Sequence, residues 1–267
     1  MNIVLSANMQ NTTNTLIIPC HIRNQRDVDC LYRLLDSVQR QSRPFTKVFV
    51  VDDASPYPYE FNYDFAELIR LSDNGGPAKA RNVGIDLSLS LGARNLMFTD
   101  HDCVLDGGWH ESMSSFLEDT RFGAAGGMTY SFGKTIYDYY HNVNGTLNGK
   151  WLLPEKQELW YMPSLNFAMK AEVARDFRFD EAFPTAAGED VDLCLRLRSK
   201  YKIGFCRKAK LWHDYGYNGI LSGLLRFIKL FMKYKSSSAT LYEGHTVLLW
   251  DESEAIHSGN TYEPHLQ

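Results

Sequence analysis

The feature that most constrains this chain is a short apolar run that stops abruptly at polar residues, and it recurs along the first half. Thr15–Pro19 (TLIIP), Lys47–Val51 (KVFVV) and Asn95–Thr99 (NLMFT) each read as a buried strand. Helical patterns separate them. Asp27–Gln41 carries Val28, Leu31, Leu34, Leu35 and Val38 on one stripe, and Gly75-Gly76-Pro77 opens a helix to about Leu91, with Pro77 suited to its first turn. Strands that alternate with helices need right-handed crossovers. The expected fold is therefore α/β, with a mostly parallel central sheet and helices on both faces. The polar clusters Pro19–Asn24, Asp52–Ser55 and Asp100–Asp102 then share one edge, at the carboxyl ends of the strands, where open α/β sheets bind ligands.

The remaining segments are less regular. Phe65–Leu71 reads as a short helix, Ala124–Tyr130 as a strand, and Ser131–Met162 as long aromatic-rich loops. Lys170–Phe177 and Glu189–Lys200 read as helices, Lys202–Cys206 as a strand, and Ile220–Tyr234 as an amphipathic helix with Arg226, Lys229 and Lys233 on one side. The apolar face of that last helix is expected to pack on the domain; peripheral membrane contact through 220–234 is the alternative. The expected division is a polar tail over 1–14, a regular strand-and-helix half over 15–130, a less regular half over 131–218, and a helix with a tail over 219–267.

Composition removes several classes. The 267 residues carry 28 basic and 32 acidic side chains, a net charge of −4, so no basic face for nucleic acid is expected. The five cysteines form no C-x-x-C pair, which points to free thiols and a reducing cytoplasm. No secretion signal and no apolar run of spanning length is evident, so a cytoplasmic location, with membrane association left open, is expected.

Four clusters could carry chemistry. Asp100 and Asp102 stand at i and i+2 after a strand, and paired carboxylates suit a hard cation such as Mg²⁺ or Mn²⁺, although a solvated turn looks the same in sequence. Asp52-Asp53 could accept hydrogen bonds from a base or ribose, or simply cap a helix. Asn74–Gly84 is Gly-rich and basic, so Lys79 and Arg81 could face a diphosphate at a helix N-terminus. Glu189, Asp190 and Asp192 open a helix, where acids suit the dipole or supply a general base. His213 follows Leu211-Trp212 as an isolated histidine. Trp151, Trp160 and Tyr161 could stack on a sugar or pack in the core.

Together, the order P-x-H…VVDDAS…GGPAKARNVG…FTDHD…NFAMKAE…GEDVDLCLRL…WH resembles the inverting family 2 glycosyltransferases, which have the GT-A fold, over roughly residues 15–214. The resemblance implies a Rossmann-like nucleotide-binding half joined to an acceptor-binding half. It implies a nucleotide-sugar donor, UDP-sugar by default, with Pro19 and His21 beside the base and Asp53 hydrogen-bonded to it. Arg81 would stabilise the departing diphosphate, Asp102 would bind the metal, Asp100 the ribose or a metal-bound water, and His101 would point away. Asp190, beside Glu189, would be the catalytic base, and His213 a further metal ligand. The acceptor is not implied: a saccharide, small molecule, lipid-linked compound or peptide all remain. A nucleotidyltransferase would show a Gly-rich basic loop after the first strand, where this chain has His21-Ile22-Arg23-Asn24. A retaining transferase would lack the Glu189-Asp190 pair, and a non-catalytic sugar-nucleotide-binding module would have lost its acids.

Overall fold

The structure is a computed structural model that describes residues 13–183, 188–217, 219–230 and 232. Strands β1 (Asn14–Cys20), β2 (Lys47–Asp52), β3 (Ala66–Arg70) and β4 (Asn95–Phe98) form a parallel block in the order β3-β2-β1-β4. Their connections carry helices α1 (Gln25–Gln39) and α2 (Gly76–Ser90). The chain continues through β5 (Cys103–Leu105), α3 (Trp109–Phe116), β6 (Ala124–Ser131), α4 (Ile136–Asn144), β7 (Lys150–Leu153), β8 (Glu158–Tyr161), β9 (Phe167–Lys170), α5 (Ala171–Asp176), α6 (Glu189–Leu197) and β10 (Ile203–His213). Residues 220–230 form a further helix, α7.

Strand β9 inserts antiparallel between β4 and β6, β10 runs parallel to β6, and the β7–β8 hairpin closes the far edge. The sheet is thus mixed, with a parallel heart. Alternation along β1 shows why both faces are covered. Leu16, Ile18 and Cys20 join the cluster with α1 and α3, whereas Ile17 points to the cluster built with α2, α5 and α6. Helix α1 is capped by the Asn24 side chain, which accepts the Asp27 N–H.

Three expectations are corrected. Phe65–Leu71 is not a helix: Ala66–Arg70 is edge strand β3, paired in parallel with β2. An edge strand half exposed to water lacks the apolar density of its neighbours, so its period of two is hard to see. Ser131–Met162 is not a run of loops; it holds α4, with a Thr135–Asp138 capping box, and the β7–β8 hairpin. The strand expected over Lys202–Cys206 extends to His213, passing an irregularity between Cys206 and Lys210. All five cysteines are free and buried. No helix among the described residues is long and apolar enough to cross a membrane. Residues 1–12 and 233–267, and with them Lys233 and Tyr234, lie outside the described residues.

Candidate active site

A cavity of about 350 Å³ opens at the carboxyl edge of the parallel strands. Its lining brings together the residues to which the family resemblance gives a role: Pro19, His21, Asp53, Arg81, Asp100, Asp102, Glu189, Asp190 and His213.

The nucleotide side begins at the end of β2. Asp52 is fully buried and serves structure: its carboxylate accepts from Arg70 Nε at 2.9 Å, the Tyr59 hydroxyl at 2.8 Å and the Ser55 N–H at 2.8 Å. Ala54 then adopts φ 52°, a left-handed conformation costly for a residue with a Cβ, and this turns the chain back at the cavity. Asp53 accepts the Gly75 N–H on Oδ1 and the Gly76 N–H on Oδ2, both at 2.8 Å. Gly76 sits at φ 84°, where a side chain would be strained. The N-terminus of α2, expected to face a diphosphate, is therefore already met by a carboxylate of the chain itself. His21 Nδ1 lies 2.8 Å from the Asp53 carbonyl, which fixes the ring at the cavity wall. Lys79 does not line the cavity; its chain lies across Gly75.

Arg81, expected to stabilise the departing diphosphate, lines the cavity from a buried position. It is 2% exposed, and its two terminal nitrogens each donate at 2.8 Å, Nη1 to Glu189 Oε1 and Nη2 to Asp100 Oδ1. One buried cation thereby ties α2, the turn after β4 and the first turn of α6 into a single unit. Such a pairing repays its desolvation only because the geometry is close on both sides.

Asp102 faces His213, with Oδ1 3.4 Å from Nε2. The cause is local pairing. Strand β5 runs antiparallel to the end of β10 in the register His213↔Cys103, and the Asp214 N–H donates to the Asp102 carbonyl at 2.9 Å. Burial alone would raise the Asp102 carboxyl, but the facing His213 holds it well below the usual carboxylate range. Burial would likewise lower His213, yet Asp102, Asp100 and Asp214 raise it. Asp102 Oδ1 and His213 Nδ1 are buried without a hydrogen bond among the described residues. His101, expected to point away from the cation, is also part of the cavity lining.

These donors suit a divalent cation only in company. No group of three or more His, Cys, Asp or Glu side chains forms a metal cage among the described residues. A carboxylate with an unsatisfied oxygen opposite an imidazole nevertheless fits Mg²⁺ or Mn²⁺, which commonly take one or two protein ligands and complete their shell with water and substrate phosphates.

The third wall is α6. Glu189 is committed to Arg81, and Asp192 to Arg196 Nε at 2.9 Å. Asp190 is half-buried and is held by backbone donors, Ser164 N–H at 3.3 Å and Val191 N–H at 2.8 Å. Burial, reinforced by the neighbouring Glu189 and only partly offset by Arg81, pushes its carboxyl up to about 7. The aromatics Trp151, Trp160 and Tyr161 lie outside the lining; Trp151 packs edge-on against Phe205 at 4.9 Å. In their place the lining adds Pro163, Ser164, Leu165 and Tyr215, which sequence reasoning missed, and Arg226 and Leu230 from α7.

The fold is of the GT-A type. More particularly, the chain belongs to glycosyl transferase family 2, whose model matches residues 15–180. Among solved structures it is similar to GalNAc-T7 crystallised with UDP, GalNAc and Mn²⁺ (TM-score 0.62, 16% identity, 93% of this chain and 54% of that one). It is also similar to Staphylococcus aureus TarS 1-349 (TM-score 0.57, 17% identity, 92% and 78%) and to the same fragment in complex with UDP (TM-score 0.54, 17% identity, 92% and 78%). The chain spans about half the length of the GalNAc-T7 chain. No curated protein sequence matches significantly.

Proposed function

We propose that the protein transfers a sugar from a nucleotide-diphosphate donor, UDP-sugar by preference, to an acceptor hydroxyl, with inversion at the anomeric carbon and with Mn²⁺ or Mg²⁺ as cofactor. One observation carries the reading: Asp190, a carboxyl poised near neutrality, lines the same cavity as the Asp102–His213 pair. A group that takes a proton and a group that collects positive charge are what displacement of an anionic leaving group by a hydroxyl needs. The UDP held by the GalNAc-T7 and TarS structures, and the Mn²⁺ of the former, support this choice of donor and cofactor.

In this reading Pro19 and His21 border the base. Asp53 has both oxygens on the α2 amides, so it reaches the base only through its remaining lone pairs. Asp102 and His213 would hold the cation, which supplies positive charge against the diphosphate. Asp190 accepts the acceptor's proton on the opposite side of the sugar. Arg81 acts as a positioning residue, fixing Glu189 and with it the first turn of α6, while holding Asp100 toward the ribose or a metal-bound water.

The test is release of UDP from a panel of UDP-sugars, with Mn²⁺ and then with excess chelator. Metal-dependent release that the chelator abolishes is expected. Pyrophosphate formed from a sugar phosphate and UTP would establish a nucleotidyltransferase instead, and donor binding without turnover a binding module.

A further inference from the structure

We propose that α4 and α7 together form a surface that docks on an anionic lipid bilayer. The two helices come from distant parts of the chain but pack side by side. The Tyr137 hydroxyl donates to the Ile220 carbonyl at 2.8 Å, Tyr140 meets Phe227 edge-on at 5.1 Å, and Gly223 lies so close to the Tyr137 ring that a Cβ there would approach it to 2.6 Å. Gly223, Phe227 and Leu230 thus form the inner face of α7. That helix is also apolar on its outer face, where Leu221 is 73% and Leu225 65% exposed. Beside them α4 exposes Ile136, Tyr139 and Val143. Exposed apolar side chains gathered on two adjoining helices call for an occupant.

Charge selects that occupant. Residues 219–232 contain no acid, and the single carboxylate of residues 132–147, Asp138, is buried under the Thr135 cap. The exposed ionic groups of both segments are Lys134, Arg226 and Lys229, all basic. Apolar side chains flanked by cations alone match a bilayer with anionic headgroups. A second copy of the same surface would instead oppose like charges. Arg226 and Leu230 also line the cavity, so the docked face lies about one helix diameter, roughly 10 Å, from the site, and an acceptor carried on a lipid could reach it. That last step rests on the glycosyl-transfer reading; the docking itself does not.

Flotation of the full-length protein with phosphatidylcholine vesicles, with and without about 30% phosphatidylglycerol, tests the proposal without any donor or acceptor. The protein should float with anionic vesicles, lose most of that binding in high salt, and lose at least about 10-fold in Leu221→Glu/Leu225→Glu, since each leucine removed forfeits its buried apolar area. Both side chains are exposed, so an unchanged melting temperature and unchanged UDP affinity should show that the variant is folded. No flotation of the wild type overturns the proposal, as does flotation undiminished in the folded variant. A wild-type dimer that the double substitution dissociates, with no vesicle binding, would make the occupant a second copy.

Discussion

Arg81 joins Glu189 to Asp100 through two 2.8 Å hydrogen bonds from one buried guanidinium. This bridge makes the cavity a single mechanical unit, because its partners lie on α6 and on the turn at the end of β4. Arg81→Ala should leave two carboxylates without their cation and cost about 3–5 kcal/mol of stability. Urea denaturation checks this. Arg81→Lys should recover only part, because one ammonium cannot reproduce the fork.

Asp53 offers a prediction that separates structure from ligand binding. Its carboxylate meets the Gly75 and Gly76 amides, so Asp53→Ala should cost about 1–2 kcal/mol of stability even with no nucleotide present, as loss of a helix cap does. UDP affinity should fall as well. A variant with wild-type stability would show that the amides find other partners, and one with wild-type UDP affinity would remove Asp53 from the base site.

The Asp102–His213 pair is where a cation should bind. His213→Ala and Asp102→Ala should each weaken Mn²⁺-dependent UDP binding by about 10-fold or more, while metal-free UDP binding changes little. Calorimetric titration with and without Mn²⁺ reads this directly. Equal metal dependence in wild type and both variants would exclude the pair as the cation site.

The poised carboxyl of Asp190 has a consequence for stability. Its folded-state value, about 7, lies above the ordinary 3.8, so the folded state holds a proton that the unfolded chain has released. The unfolded state binds fewer protons in this window, so stability declines as pH rises from about 4 to about 7. Asp190→Asn removes the titration. It should match the wild type near pH 4 and become more stable by about 1–3 kcal/mol near pH 8, the figure being discounted because the side chain is only half-buried. Denaturation midpoints at the two pH values check the sign.

Much of this site is legible in the amino-acid sequence, and the reason is physical. Buried strands such as Asn14–Cys20 and Lys47–Asp52 announce themselves as apolar runs, and the polar residues at their carboxyl ends must lie at the sheet edge. That places Asp53, Asp100 and Asp102 near one another. The less legible parts depend on pairing between remote segments. Strand β5 has three residues and no pattern of its own, yet its register with β10 sets His213 against Asp102. The Arg81–Glu189 pair spans the two halves of the chain, so local pattern shows only a basic residue near a helix start, which suits phosphate equally well. Trp151 is a choice that the sequence leaves open: its ring packs edge-on against Phe205, and aromatic content alone does not separate a core from a sugar platform.

The central claim is that Asp190 takes the acceptor's proton, and the most direct measurement is the single-turnover rate of sugar transfer by Asp190→Asn with donor and metal saturating. The amide keeps the shape and one of the two backbone contacts, since its NH2 cannot accept an N–H as the second carboxylate oxygen does, and it cannot take up a proton. The account predicts wild-type UDP-sugar affinity and a transfer rate lower by about 10²–10⁴. In the wild type the same rate should fall as pH drops below about 7, where Asp190 is protonated. Transfer by Asp190→Asn at the wild-type rate would contradict the assignment and move the base to another group.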